Sequence, residues 1–273
     1  MKRREHNARE KTGAGGTDIH PSAVVDRGAE LADGVCVGAF SVIERGAVIG
    51  ARARIEPHVV IRGGAVIGED THIYQFCSIG EAPQHQGYAG EPTGLEIGAR
   101  NIIRESCTVH RGTADGRGRT RIGDDNFIMA YAHIAHDCAL GDHIVFANGA
   151  SLAGHVDVGD HAILGGFSLV HQFCSIGAHC ITGIGAVCFK DVPPFIIASG
   201  HTAKPFGLNT KGLRRRGFDD ESVALLKKAY RLLYRDGLEQ ARALEEIQKL
   251  RPGHPHLEML CDFVRGSRRG IIR

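Results

Sequence analysis

Every sixth residue from Ile19 is aliphatic: Val25, Leu31, Val37, Ile43, Ile49, Ile55, Ile61, Ile67, Ile73 and Ile79 follow without a miss. The phase resumes at Ile97, Ile103 and Val109, then runs from Ile122 through Ile128, Ile134, Leu140, Phe146, Leu152, Val158, Leu164 and Val170 to Ile176. Four residues after each aliphatic stands a small one, such as Ala23, Ser41, Ala65, Ala132 or Ala150, and five of the 8 Cys occupy this slot. One large and one small inward residue in every six describe a short strand and a turn. Three such repeats close one coil of a triangular prism. The pattern predicts an all-β left-handed parallel β-helix, with residues 18 apart stacked in columns at about 4.8 Å. A single coil cannot bury its inner face, so stability must come from stacking. Gly, Asn, Asp and His are expected at the turns, where positive φ or tight bends are needed.

Two insertions break the count. Twelve extra residues separate Ile79 from Ile97, and seven separate Val109 from Ile122, which predicts surface loops over residues 80–96 and 110–121. A solenoid expels insertions onto its surface, often at the binding face, so both are candidates for covering a substrate. The repeat fades after Thr182 and Cys188, and Pro193-Pro194 ends it. The expected β-helix therefore spans 18–194, and 195–273 form a connector and a C-terminal helical domain. There, Asp219 or Asp220 can cap a helix carrying Val223, Leu226, Tyr230 and Leu233 at helical spacing. A second helix is expected over Leu238 to Leu250 and a third over His256 to Val264, separated by Pro252-Gly253-His254-Pro255. Residues 1–17, charged and Gly-rich, are expected to be a disordered arm.

Composition narrows the setting. The chain has 273 residues with 37 Gly, 11 Phe, 5 Tyr and no Trp, and 42% are hydrophobic at a net charge of +2, which excludes wholesale disorder. No apolar run reaches 18 residues, so no membrane span is expected, and the N-terminus lacks the apolar stretch of a secretory signal. Without a Cys-x-x-Cys pair, the cysteines are expected to be small buried hydrophobes in a reducing, cytoplasmic setting. Near-neutral charge without a basic-aromatic surface argues against nucleic acid.

Candidate chemistry gathers where the 16 His cluster. By the column rule, His136, Gly154 and Gln172 share one column, while Asp137 and His155 share the next. His133 and His171 lie on the same coils. Three readings compete for this edge. Turn positions tolerate His as filler. Three imidazoles from such faces can also hold zinc in a β-helix hydratase. In acyl transfer, His136 would be the general base, Asp137 would orient it, and the Gly154 N–H would meet an oxyanion. The basic stretch Arg214-Arg215-Arg216 is either a solvated face or a phosphate-binding group just beyond the prism.

The segments His133-Ile134-Ala135-His136-Asp137-Cys138, Leu152-Ala153-Gly154-His155-Val156, Val170-His171-Gln172-Phe173 and Gly212-Leu213-Arg214-Arg215-Arg216-Gly217-Phe218 resemble the acyl-[acyl-carrier-protein]–UDP-N-acetylglucosamine O-acyltransferases, which start lipid A synthesis. The resemblance runs from about Asp18 to Arg273. It implies a cytoplasmic homotrimer with active sites between neighbouring prisms and no metal or other cofactor. The acyl group would arrive as a phosphopantetheine thioester on acyl carrier protein and pass to the 3-hydroxyl of UDP-N-acetylglucosamine. It assigns His136 as base, Asp137 as its partner and the Gly154 N–H as oxyanion donor. It places His133, His155, His171 and Gln172 in the cleft, and Asn209, Arg215 and Arg216 at the nucleotide end.

The chain departs from the family pattern at several positions. The family's first loop commonly reads Gln-Asp-Leu-Lys-Tyr, whereas here it is Gln84-His85-Gln86-Gly87-Tyr88, so His85 replaces a substrate-contacting acid. That change leaves open a modified acceptor, such as a 3-amino UDP-sugar, or a non-catalytic paralogue. Lys211 stands where an acidic residue is usual, and Thr202 where His is usual. Ile184 occupies a position where Gly admits a long acyl chain, which implies a shorter one here.

Overall fold

The computed structural model describes residues 16–273 of the chain. The expected arm therefore lies outside the described residues except for Gly16 and Thr17. From Asp18 the backbone winds through two-residue strands that distribute in turn onto three parallel sheets. The first sheet starts at Asp18–Ile19, the second at Val24–Val25 and the third at Glu30–Leu31. Pairing follows the 18-residue column: His133 lies opposite Ser151, and Ser151 opposite Leu169. At each insertion the register absorbs the extra residues, so Ile79 still pairs with Val109, and Val109 with Ile134. The result is the left-handed β-helix with its helical C-terminal region.

In most strands the second residue points inward and is buried, as Ile43, Ile61, Ile79, Ile103, Ile134 and Leu152 are. The second inward slot follows at the corner and takes mostly small side chains, with Val35, Val59, Ile144 and Val156 as larger buried occupants. Cysteines fit it because the thiol is small and finds a carbonyl at hand. Cys77, Cys107 and Cys138 donate to the carbonyls of Arg104, Met129 and Ala153 at 3.0, 3.1 and 3.2 Å.

The corners hold a surprise. Positive φ occurs not only at Asp and His but at Phe40, Phe76, Tyr131, Phe167, Arg52 and Arg100. A large side chain in the left-handed region is normally costly. Here each points outward and can rest on the equivalent residue of the next coil. Phe40, His58 and Phe76 stack with ring centroids 5.2 and 5.3 Å apart.

Both insertions are shorter as loops than the residue count implied. Strand pairing extends through Ser78–Glu81 and Gly94–Ile97, leaving 82–93 as the first loop. It also extends through Thr108–His110 and Arg119–Ile122, leaving 111–118 as the second. The flanks continue the ladder because backbone donors on the neighbouring coil need partners there, as in the pairing of Gly94 with Arg119.

Pro193-Pro194 does not end the first sheet. Ile196–Ser199 adds a parallel strand, and Lys204–Leu208 turns back antiparallel to close the edge. Four helices follow: α1 (Thr210–Arg215), α2 (Asp220–Tyr234), α3 (Gln240–Leu250) and α4 (Pro255–Gly266). Asp219 caps α2, accepting from the Ser222 N–H. Asn209 caps α1, a short helix that the sequence showed only as a basic stretch. The apolar faces of α2, α3 and α4 close on Phe195 and Ile271, while the adjacent Ile272 packs into the prism core. Two separate apolar cores thus lie on either side of the adjacent Ile271 and Ile272.

Candidate active site

The corner between the second and third sheets is built by Ala135-His136-Asp137-Cys138. Asp137 occupies the left-handed turn position, φ 60°, and its carboxylate is fully buried. The second insertion folds over it. The Thr113 hydroxyl donates to Asp137 Oδ2 at 2.6 Å, the Arg117 N–H to Oδ1 at 2.7 Å, and the Thr113 N–H lies within 3.2 Å of both oxygens. A Cβ on Gly116 would stand 2.5 Å from this carboxyl group, so only glycine lets the loop close. Burial pushes the Asp137 pKa up, but the bonds from Thr113, His136 and the Arg117 N–H outweigh it and hold the group below the usual carboxylate value.

The remaining bond goes to His136, whose Nδ1 lies 2.8 Å from Asp137 Oδ2. An ionised carboxylate only accepts, so Nδ1 carries the proton and Nε2 keeps the lone pair. The ring is almost buried, with 12% of the side chain accessible. It stands edge-on to His155 at 5.0 Å, and to His85 at 5.6 Å. His155 in turn lies flat on Phe173 at 4.5 Å, and its burial lowers its pKa.

Gly154 lies against the same ring: a Cβ there would come within 2.5 Å of His136 Cε1. Its carbonyl accepts from Phe173, while among the described hydrogen bonds its N–H has no acceptor. The column rule therefore brings His136, Asp137, Gly154 and His155 together.

His133 points outward from the second sheet, and its Nδ1 lies 2.7 Å from the Thr108 hydroxyl. Burial, with the charge of His136, lowers its pKa. His110, which the column count overlooked, stands 5.0 Å from it, and its buried ring has its pKa lowered to about 4. His171 and Gln172 lie two coils beyond His133; Arg269 approaches His171 Nδ1 at 3.3 Å, and Gln172 is exposed. Thr113 and Arg117 were missed as well. The signal was present, because an insertion one coil before Asp137 has to cross that corner.

The other predicted residues lie elsewhere on the chain. Asn209 is buried, accepting from the Gly212 N–H at 3.0 Å and donating to the His179 carbonyl at 2.8 Å. Arg216 donates to the His161 carbonyl, and its Nη1 is buried without a partner. Both border the corner between the third and first sheets, where His143, His161 and His179 stack at 4.8 Å intervals. Arg215 is exposed beside them. Ile184, 85% exposed, sits at the corner between the first and second sheets.

His136, Asp137 and His155 also offer three ligand atoms within 4.8 Å of one another. The carboxylate of this set does not fit a metal: both Asp137 oxygens are already taken by the Thr113, Arg117 and His136 donors. A zinc reading therefore loses Asp137, and His136 and His155 alone fall short of the three protein ligands such a site needs.

Known proteins share this arrangement of elements. The family described as UDP-N-acetylglucosamine O-acyltransferase, domain 2, matches residues 191–272, and bacterial transferase hexapeptide repeats match 46–81 and 119–154. An acyl-[acyl-carrier-protein]–UDP-N-acetylglucosamine O-acyltransferase of Thiobacillus denitrificans is 58% identical over 93% of this chain and 99% of its own. That of Halorhodospira halophila is 57% identical over 94% and 100%. Among solved structures, LpxA from Acinetobacter baumannii superposes with a TM-score of 0.91 at 42% identity, covering 93% of this chain and 99% of that one. The chain belongs to the acyl-[acyl-carrier-protein]–UDP-N-acetylglucosamine O-acyltransferase family.

Proposed function

We propose that this chain transfers a 3-hydroxyacyl group from acyl carrier protein to the 3-hydroxyl of UDP-N-acetylglucosamine, the step that opens lipid A synthesis, with His136 as general base. The observation that carries the mechanism is the pairing of His136 with buried, ionised Asp137, which leaves Nε2 as the free basic nitrogen beside the Gly154 N–H. The sugar hydroxyl gives its proton to Nε2 as its oxygen bonds to the thioester carbonyl carbon. The carbonyl electron pair moves onto oxygen, where the Gly154 N–H meets the charge. Collapse breaks the carbon–sulfur bond, and the departing thiolate of the phosphopantetheine arm takes the proton back from His136. The reaction is redox-neutral and no metal or other cofactor enters it. Asp137 keeps the imidazole in one tautomer and balances its transient positive charge.

A homotrimer completes the site. His136 and the Asn209–Arg216 group flank the third sheet on opposite corners, so one chain cannot bring them to one substrate. The remaining corner carries exposed Phe40, Phe76, Tyr131 and Phe167, each at least 61% accessible. Turn that corner toward a threefold axis, and the second sheet of one prism faces the first sheet of the next. The His136 corner then meets the neighbour's Asn209–Arg216 corner. The outer faces support this arrangement. From residue 96 on, the first sheet shows Ile102, Phe127, Val145 and Ile163 outward, whereas the third shows Glu96, Arg121 and Asp157, suited to water. The unpartnered Arg216 Nη1 suits a phosphate oxygen. His133, His155, His171, Gln172 and His85 would line the cleft, with Ile184 limiting the acyl chain.

The test is transfer from a series of acyl carrier proteins to UDP-N-acetylglucosamine by the wild type and His136→Ala. A general base contributes about 10²–10⁴-fold, so His136→Ala should lose at least a hundredfold while remaining folded. Retention of a tenth of the activity would remove His136 from the role. In the same series, rates should favour chains shorter than fourteen carbons, and a preference for the longest acyl group would remove Ile184 from its role.

A further inference from the structure

A cavity of about 360 Å³ opens between the end of α2, the edge strand Lys204–Leu208 and Arg273. It lies outside the His136 corner and outside the Asn209–Arg216 group. Its lining holds three cationic side chains, Lys204, Arg235 and Arg273, and no Asp or Glu side chain. Among the described residues none of the three forms an ion pair, and nearby Asp236 turns instead to Arg231 at 3.6 Å. Pro205 and Leu238 supply apolar walls. Tyr234 lines the cavity too, and its hydroxyl is buried without a hydrogen-bond partner.

One cation at the end of α2 needs no ligand, because a helix C-terminus favours positive charge. That accounts for Arg235, which caps α2, but not for Lys204 or Arg273. Arg235 also lies over the Tyr230 ring at 5.9 Å, and with Lys204 and Arg273 around one hollow the cationic side chains favour an entering anion. A buried hydroxyl without a partner is destabilising until something bonds to it. Both deficits are met by one kind of ligand. Its acidic head would take the guanidinium and ammonium donors together with the tyrosine hydroxyl, and its short apolar body would lie on Pro205 and Leu238. The volume is at the small end of ligand pockets, which run from about 300 to 1,000 Å³.

We propose that Lys204, Arg235, Arg273 and Tyr234 form a second binding site, for a small organic phosphate with a short apolar body. Occupancy would brace the strand Lys204–Leu208 against α2, where the Tyr230 hydroxyl already donates to the Pro205 carbonyl at 3.4 Å.

Calorimetric titration of the full chain with n-hexyl phosphate, inorganic phosphate and n-hexanol tests this. Using Arg216→Gln as the background removes the anion site near His161. Hexyl phosphate should bind, hexanol should not, and inorganic phosphate should bind more weakly for want of the apolar contact. Lys204→Gln and Arg235→Gln should each weaken hexyl phosphate about tenfold, the scale of one charge-assisted contact. Lys204 and Arg235 are exposed, so these variants should keep the fold, and Tyr234→Phe should weaken binding while leaving all three cations in place. Affinity unchanged by all three substitutions, equal binding of hexanol, or no heat up to about 10 mM would each overturn the site. Acyl transfer plays no part in the readout, so its failure would leave the mechanism at His136 untouched.

Discussion

At the scale of single residues, the site depends on a buried charge kept ionised by donors. Asp137 accepts from the Thr113 N–H and hydroxyl, the Arg117 N–H and the His136 ring, so each lone pair has a use. Asp137→Asn would turn an amide N–H₂ toward one of these donors and release the His136 tautomer. The expected cost in kcat is about 10²–10⁴-fold, with KM changing much less. Equal loss in KM would mean that Asp137 binds substrate instead. Acid stability follows from the buried imidazoles. The His110 pKa falls from 6.5 to about 4, so the folded state binds its proton later than the unfolded chain does. Its contribution is complete above pH 6.5 and drains away as the pH falls toward 4. At about 1.4 kcal/mol per unit this comes to roughly 3.5 kcal/mol at most. Urea unfolding midpoints should drop across that window, and His110→Gln should flatten the drop. An unchanged slope would assign the acid sensitivity to other groups.

At the scale of elements, the two insertions show what a residue count conveys. Twelve and seven surplus residues announced loops and their place in the coil order. The count also placed the second loop at the corner that carries Asp137 one coil later, but it could not say that Thr113 and Arg117 would turn their donors onto the carboxylate. Gly116 makes the contact possible: its absent Cβ leaves the 2.5 Å approach open. Gly116→Val should lift the loop and expose Asp137. Hydrogen exchange at Thr113 and Arg117 should rise, and stability should fall by about 1–3 kcal/mol. Protection equal to wild type would show that the loop closes without this glycine. The helical region was legible to similar depth. Heptad-like apolar spacing and Asp219 marked α2, whereas α1 is too short to show a period and owes its existence to the Asn209 cap.

At the scale of the whole molecule, the outward side chains divide the prism into unlike faces. An exposed aromatic column on a solenoid corner is expensive to leave in water, and its regular spacing suits contact with copies of itself around an axis. Sedimentation equilibrium should therefore give three chain masses. Phe76→Glu, which places a charge among the stacked rings of one corner, should shift the population toward single chains and lower activity in proportion. A monomeric wild type with full activity would refute the shared site, as would a Phe76→Glu trimer as stable as the parent.

The sequence by itself determined the coil. A six-residue alternation of large and small inward side chains has one economical solution, and stacking at a fixed pitch carries His136, Gly154 and Gln172 into one column. That inference needed only local spacing, because in a solenoid residues close in space are separated by a constant number of positions. What lay outside the period could be decided only by the tertiary structure: Thr113 and Arg117 arching over Asp137, His110 slipping beneath His133, and Arg216 reaching the opposite corner. These contacts join segments 20 to 55 residues apart with no repeating interval between them. Their geometry follows from how loops and helices drape over the finished prism.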